Sequence, residues 1–212
     1  MNWKKKCLEN FKLYAITDLR ENDPKILEKI EGALRGGVDI IQLRSKILSD
    51  RSLVALGKKI LTLTRKMKRL FIVNDRVDLM KVINADGVHL GQNDLAIQEA
   101  RRLIKDSEKI IGQSTHTLKQ AIIAARDGAD YIGFGPIFST PTKPTYQAVG
   151  LDEIRQVVKR VQIPVVCIGG IDSSNIRSVV AHGANRVAVV RAIFSVAGPY
   201  QVACDLRKQL EL

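Results

Sequence analysis

Eight short aliphatic runs, each followed by a segment with helical spacing, constrain this chain more than any other feature. YAIT, DIIQL, FIV, GVHL, KII, YIGF, PVVCI and RVAVV recur in that order, and most are apolar on both faces. Strands of that kind sit inside a parallel sheet covered by helices. Parallel neighbours need a crossover between them, and a helix is the usual one. Eight such units predict an α/β fold, a single (β/α)8 TIM barrel. The alternative is an open doubly wound sheet. No GxGxxG follows the first run, and polar residues follow nearly every run rather than one switch point, so the barrel is preferred. Residues 1–212 read as one domain, with 1–12 as a helical N-terminal extension and no linker, repeat array or low-complexity segment.

The expected strands cover 13–17, 39–43, 71–73, 87–90, 109–111, 130–134, 163–168 and 185–190. Pro24 opens the first helical pattern and Gly36-Gly37 ends it. Ser49 or Asp50 caps the next helix, which runs toward Lys68. Further helices are expected at 77–83, 95–104, up to Arg126, at 151–159, from Asp172 or Ser173 to near Gly183, and from Pro199 onward. The Pro- and Thr-rich loop at 135–150 exceeds the length of about 12 residues beyond which loops are usually functional or disordered.

Hydrophobic residues make up 45% of the chain, enough for a sizeable core, and with aromatics at 5% the packing must be mostly aliphatic. The net charge of +12 fits either a nucleic-acid partner or attraction of anionic substrates. Much of it, for example Lys58, Lys59, Arg65, Lys66, Lys68 and Arg69, reads as a solvated helix face without the aromatics that stack bases. The three cysteines form no CxxC, which fits a reducing cytoplasm, and Cys167 reads as a small core residue. The first residues lack the apolar core of a signal peptide, and no stretch is long enough to span a membrane.

Chemistry concentrates at 71–94. Two apolar runs there each end in a polar cluster with a carboxylate, Asn74-Asp75 and Gly91-Gln92-Asn93-Asp94, with a short helix between. Parallel neighbours lie about 4.8 Å apart and end on one rim, so Asp75 and Asp94 would face one site. Close carboxylates repel unless a cation or shared proton intervenes. Oxygen-only surroundings favour a hard, water-retaining cation such as Mg²⁺. The plainer reading is that each aspartate starts a helix as its N-cap.

In a barrel the loops after the strands share one face, and active sites lie there. That rim would collect Asp18, then Gln42, Arg44 and Lys46, then Asn74 and Asp75, then Gln92, Asn93 and Asp94. It continues with Ser114 and His116, the loop with Ser139, Thr140, Thr142 and Lys143, then Gly169-Gly170 and Arg191. Cations and hydroxyls in such number suit phosphate groups. Gly169-Gly170 offer bare backbone N–H groups before a helix, a second anion site. No Ser-His-Asp set and no metal-spaced Cys/His cluster is present.

The strings YAITD, QLRSK, VNDRVDL, ADGVHLGQND, IGQSTHT, GADYIGFGPIFSTPTK, VVCIGGI and VAVV, in order, resemble the thiamine phosphate synthase family. The resemblance implies a transferase that joins hydroxymethylpyrimidine diphosphate to a thiazole phosphate, which often carries a carboxylate. It implies Mg²⁺ on Asp75 and Asp94. It implies Gln42, Leu43, Arg44, Ser45, Lys46, Asn74, Ser114 and Lys143 around the pyrimidine diphosphate, with Arg44, Lys46, Ser114 and Lys143 in the catalytic role. It implies Thr140, Pro141, Thr142, Gly170, Val190 and Arg191 around the thiazole phosphate. Arg191 departs from the family's usual Ser.

Three rivals share the barrel. A related family tautomerises the carboxylated thiazole with a His where this chain has Pro136, and lacks the carboxylate pair. A basic nucleic-acid-binding or regulatory barrel would need no Mg²⁺ pair. A different phosphate-binding enzyme, such as an isomerase, would want a titratable base. The histidine candidates on or near the rim are His89, which reads as a hydrogen-bonded core residue, and His116, which reads as support for the Ser114 loop or a helix start.

Overall fold

A computed structural model describes residues 3–19, 23–141 and 147–211. The eight runs form eight parallel strands that close on themselves in sequence order. They are β1 (Leu13–Ile16), β2 (Ile40–Leu43), β3 (Leu70–Asn74), β4 (Gly87–Leu90), β5 (Ile110–Thr115), β6 (Tyr131–Phe134), β7 (Val165–Ile168) and β8 (Val187–Val189). β1 pairs with both β2 and β8, which closes the barrel. The chain therefore has the TIM-barrel architecture, and the open sheet is excluded.

An N-terminal helix α1 (Trp3–Asn10) precedes the barrel. The crossovers carry α2 (Ile26–Arg35), α3 (Asp50–Lys66), α4 (Val77–Ile83), α5 (Ile97–Ile104), α6 (Leu118–Arg126), α7 (Asp152–Arg160) and α8 (Ile176–Ala181). After β8 come α9 (Arg191–Phe194) and α10 (Pro199–Gln209). α9 is a helix of four residues that the sequence reading did not foresee. Of the two expected caps for α3, Ser49 is the one whose side chain accepts a helix N–H, from Ser52. For α8 neither expected cap holds. Asn175 is the N-cap residue, and Asp172 instead folds a turn by accepting the Ser174 backbone N–H and hydroxyl. β5 runs four residues beyond its expected end, because Gly112 to Thr115 continue the ladder with β6.

Two apolar cores result. The larger lies between sheet and helices and includes Ile30, Ile41, Phe71, Val88, Ile132 and Val179. The smaller fills the barrel with Phe11, Tyr14, Ile40, Leu70, Ile72, Tyr131 and Val166. Trp3, Cys7 and Leu8 of α1 pack against this inner core, so α1 stops the end of the barrel opposite the strand exits.

The even-numbered strands share one entrance, a regularity within the repeating units. Each is reached by a left-handed residue, a small or branched apolar residue, then Asp or Asn: Gly37-Val38-Asp39, Asn84-Ala85-Asp86, Gly128-Ala129-Asp130 and Gly183-Ala184-Asn185. In the first three the Asp N–H donates to the preceding strand at Leu13, Phe71 or Ile111. The carboxylate accepts the N–H of that same residue, at 3.2, 3.0 and 2.6 Å. A cation meets each carboxylate: Arg69 and Arg207 at Asp39, Lys4 at Asp86 and Arg101 at Asp130. Such brackets fix the register of each odd strand against the next. They leave the opposite rim free of this duty. Among the described residues no helix is long and apolar enough to cross a membrane.

Candidate active site

The strand exits surround a cavity of about 320 Å³. β2 aims Gln42 into it, β3 Asn74, β4 His89 and β5 Ser114, because alternate strand residues face the barrel axis. Arg44 lines it from just past β2. Its guanidinium is paired with Asp18, and its backbone exchanges two 2.9 Å bonds with the Thr17 hydroxyl. Asp18, named on the rim from sequence, thus fixes the direction of Arg44.

The far wall is built differently. Thr140, Gly170, Val190 and Arg191 line it. Gly169 and Gly170 have φ of +102° and +66°. A side chain at Gly170 would come within 2.7 Å of Phe138 Cβ, so the bare backbone there is required by close approach as well as by conformation. Asn175 braces this turn by donating to the Gly170 carbonyl at 2.8 Å. α9 begins at Arg191, and the first N–H groups of a helix have no partner within it. Backbone donors from two elements and one cation therefore converge on this wall, a suitable seat for an anion.

The remaining sequence candidates fall outside the cavity lining. Leu43 is only 2% exposed and could offer only its backbone to a ligand. The Ser45 hydroxyl is occupied with its own turn, accepting from Ile47 and Leu48 and donating to the Leu19 carbonyl at 3.4 Å. Lys46 and Pro141 are exposed. Thr142 and Lys143 lie outside the described residues.

Asp75 and Asp94 are exposed on the rim beside the cavity, at the exits of the paired strands β3 and β4. Neither is a helix cap. The N-cap residues of α4 and α5 are Arg76 and Ala96, with no side-chain cap bond at either. Asp75 holds a left-handed backbone, φ +61°, and its N–H donates to the His89 carbonyl at 2.8 Å. Asp94 turns one carboxylate oxygen back onto the Gly91 N–H at 2.5 Å, which leaves the other for a ligand. Arg76, next to Asp75, is held by Asp50 and Asp78 at 2.6 to 3.0 Å. Hydrogen bonds donated to Asp78 and Asp50 raise its pKa, and Arg76 in turn holds both carboxyls below the usual range. The donor set of Asp75 and Asp94 is oxygen only and open to water, which fits Mg²⁺.

The histidines divide. His89 is bonded through both ring nitrogens, to the Tyr131 hydroxyl at 3.0 Å and to the Ser114 hydroxyl at 2.9 Å, and it also lines the cavity. The Tyr131 hydroxyl meets that of Tyr14 at 2.9 Å, and Gln42 donates to Tyr14 at 2.7 Å. Tyr14 and Tyr131 went unnoticed in the sequence, although polar tips within apolar strands were a readable signal. Burial is the main cause that pushes both phenols well above their ordinary pKa, so they stay protonated. His116 does not start α6, which Thr117 caps through the Gln120 N–H. It braces the loop after β6, with Nδ1 2.5 Å from the Gly135 carbonyl.

A family model described as thiamine monophosphate synthase matches residues 13–193. A thiamine-phosphate synthase of Thermosynechococcus vestitus is 41% identical over 203 residues, covering 96% of this chain and 57% of that protein. The chain thus spans little more than half the length of this relative and of the one from Synechocystis sp.. The thiamine-phosphate synthase of Thermus thermophilus is 44% identical over 185 residues, 87% of this chain and 88% of that protein. A solved thiamine phosphate pyrophosphorylase from Pyrococcus furiosus superposes with a TM-score of 0.86 at 38% identity, covering 95% of this chain and 96% of its own.

Proposed function

Because the chain belongs to the thiamine monophosphate synthase family, we propose that it joins hydroxymethylpyrimidine diphosphate to a thiazole phosphate, giving thiamine phosphate and diphosphate. One observation carries the reading: a single cavity has polar side chains from neighbouring strands and Arg44 on one side, and backbone donors with Arg191 on the other. That is room for two anionic substrates, each held at its phosphate end.

In this reading the C–O bond to the diphosphate breaks, helped by electrons from the pyrimidine amino group. The thiazole nitrogen then bonds to the exposed carbon, and CO₂ leaves when the thiazole carries a carboxylate. The attacking nitrogen holds no proton, so no strong base is needed. Arg44, steered by Asp18, and the Ser114 hydroxyl stabilise charge on the departing oxygens. Asn74 and Gln42 orient the pyrimidine. Thr140, Gly170, Val190 and Arg191 hold the thiazole phosphate, and Lys46 and Lys143 add positive charge from the rim and the loop. When bound, Mg²⁺ would neutralise diphosphate charge beside Asp75 and Asp94. The walls must exclude water, which would capture the reactive carbon. The three cysteines carry free thiols, which supports a reducing, cytoplasmic setting.

The test is direct. The two precursors are incubated with the purified chain and the products separated by chromatography. Thiamine phosphate and diphosphate in equal amounts are expected. Consumption of a carboxylated thiazole without pyrimidine diphosphate would point to the tautomerase instead.

A further inference from the structure

Five side chains from five strands are joined in one hydrogen-bonded line through the barrel: Gln42 on β2, Tyr14 on β1, Tyr131 on β6, His89 on β4 and Ser114 on β5. No link exceeds 3.0 Å. All five residues line the cavity, and Gln42 and Ser114 are the ends of the line. The barrel leaves space for the line. A side chain at Gly112 would strike the Tyr131 ring, 2.1 Å from Cζ, and one at Gly133 would come within 3.3 Å of His89 Cε1.

A line of this kind has a direction. Gln42 presents Nε2 to Tyr14 as a donor. Tyr14 is fully buried, and among the described residues its hydroxyl meets only Gln42 and Tyr131. Its own proton therefore passes to Tyr131. Tyr131 then donates to His89 Nδ1, His89 carries its proton on Nε2 and donates it to Ser114. The Ser114 proton is left for a ligand acceptor in the cavity. Turning the Gln42 amide over reverses every link. Tyr14 would donate to Gln42 Oε1, His89 would carry its proton on Nδ1, and Ser114 would spend its proton on His89. Each phenol has one proton to give, so the ends cannot be set independently.

We propose that this line couples the two ends of the site: Ser114 can donate to an anion only when Gln42 keeps Oε1 as an acceptor for an N–H group of the same ligand. Tyr14, Tyr131 and His89 are positioning residues, acting through Gln42 and Ser114. Resting on the function proposed above, the matching ligand has an amino-substituted ring at one end and a phosphate oxygen at the other. The elevated phenol pKa values support the assignment by keeping both link protons in place.

Nitrogen NMR of His89 tests the coupling without any turnover. Protein with ¹⁵N-labelled histidine is compared at pH 8 as wild type, as Gln42→Glu, as Tyr131→Phe and as the double variant. A Glu carboxylate can only accept, so it must draw the Tyr14 proton and reverse the line. The wild type is expected to carry the proton on Nε2, and Gln42→Glu to move it to Nδ1. In the Tyr131→Phe background, Gln42→Glu should leave the tautomer as it is in Tyr131→Phe alone. A wild-type Nδ1–H tautomer would overturn the proposal, and that measurement stands even where Gln42→Glu does not fold. So would a His89 signal unmoved in Gln42→Glu, or one that moves equally without the Tyr131 hydroxyl. Absence of thiamine phosphate formation would count against the function and leave these tautomers as they are.

Discussion

Asp75 has an unfavourable backbone for its residue type. A left-handed φ at a residue with a side chain costs on the order of 1 kcal/mol or more. Strain of this kind collects where a side chain must be aimed. Asp75→Gly should therefore raise unfolding stability by about 1 kcal/mol while lowering kcat/KM by roughly a hundredfold or more. Denaturant titration and steady-state kinetics on one preparation check both halves. A variant that gains stability and keeps full activity would remove Asp75 from the site. Cys167 makes a different prediction at this scale. It is fully buried, and desolvation pushes its thiol up to about 12. The unfolded chain loses that proton near the ordinary cysteine value and the folded chain holds it. Stability is therefore full below the unfolded value and falls as pH rises toward the folded one. At pH 10.5, Cys167 should contribute a loss of about 2 kcal/mol relative to pH 8. Cys167→Ala should show a correspondingly smaller alkaline loss in urea titrations at the two pH values.

Among elements, the bracket before each even strand is the most regular device in the barrel, and its fourth copy is incomplete. At β8 the residue is Asn185, and Arg186 donates to its side-chain oxygen at 2.9 Å. Arg186 lies over the Phe11 ring, and burial lowers its pKa. Asn185→Asp should convert that contact to an ion pair and raise stability by about 0.5 kcal/mol, the modest gain of a partly exposed pair. Asp86→Ala, by contrast, strands the buried Phe71 N–H and removes the partner of Lys4, and should cost about 1–3 kcal/mol. Thermal melts of the two variants check both signs. Most of these elements were readable in the sequence. α4 and β4 fall where they were expected, because each is bounded by polar residues and filled with aliphatic ones. β5 extends past its expected end, because Gly112-Gln113-Ser114-Thr115, although polar, completes the ladder with β6. α9 has four residues, too few to show a period.

For the whole molecule, the candidate site is legible where its residues follow strand ends and illegible where they lie inside the barrel. Gln42, Arg44, Asn74, Ser114, Thr140, Gly170 and Arg191 follow from strand order and Val190 from the family resemblance, and all line one cavity. Lys46, which strand order also gives, and Ser45, which the family resemblance adds, stand outside it, since one rim loop can point its residues in several directions. Tyr14 and Tyr131 were hidden because aromatic residues in apolar strands read as packing, and only closure of the barrel brings β1 and β6 across from each other. The net charge of +12 fits the proposed function, in which two anionic substrates are drawn in. In the proposed function, carboxylates on the β3–β4 side hold a metal for the leaving group while the rest of the rim holds both substrates. The most direct measurement is thiamine phosphate formation against Mg²⁺ concentration, for the wild type and for Asp75→Asn with Asp94→Asn. The wild type should require Mg²⁺ and lose product formation with EDTA, and the double variant should be slower by about a hundredfold or more even at high Mg²⁺. Equal product formation by the two proteins, or by the wild type in EDTA, would contradict the account.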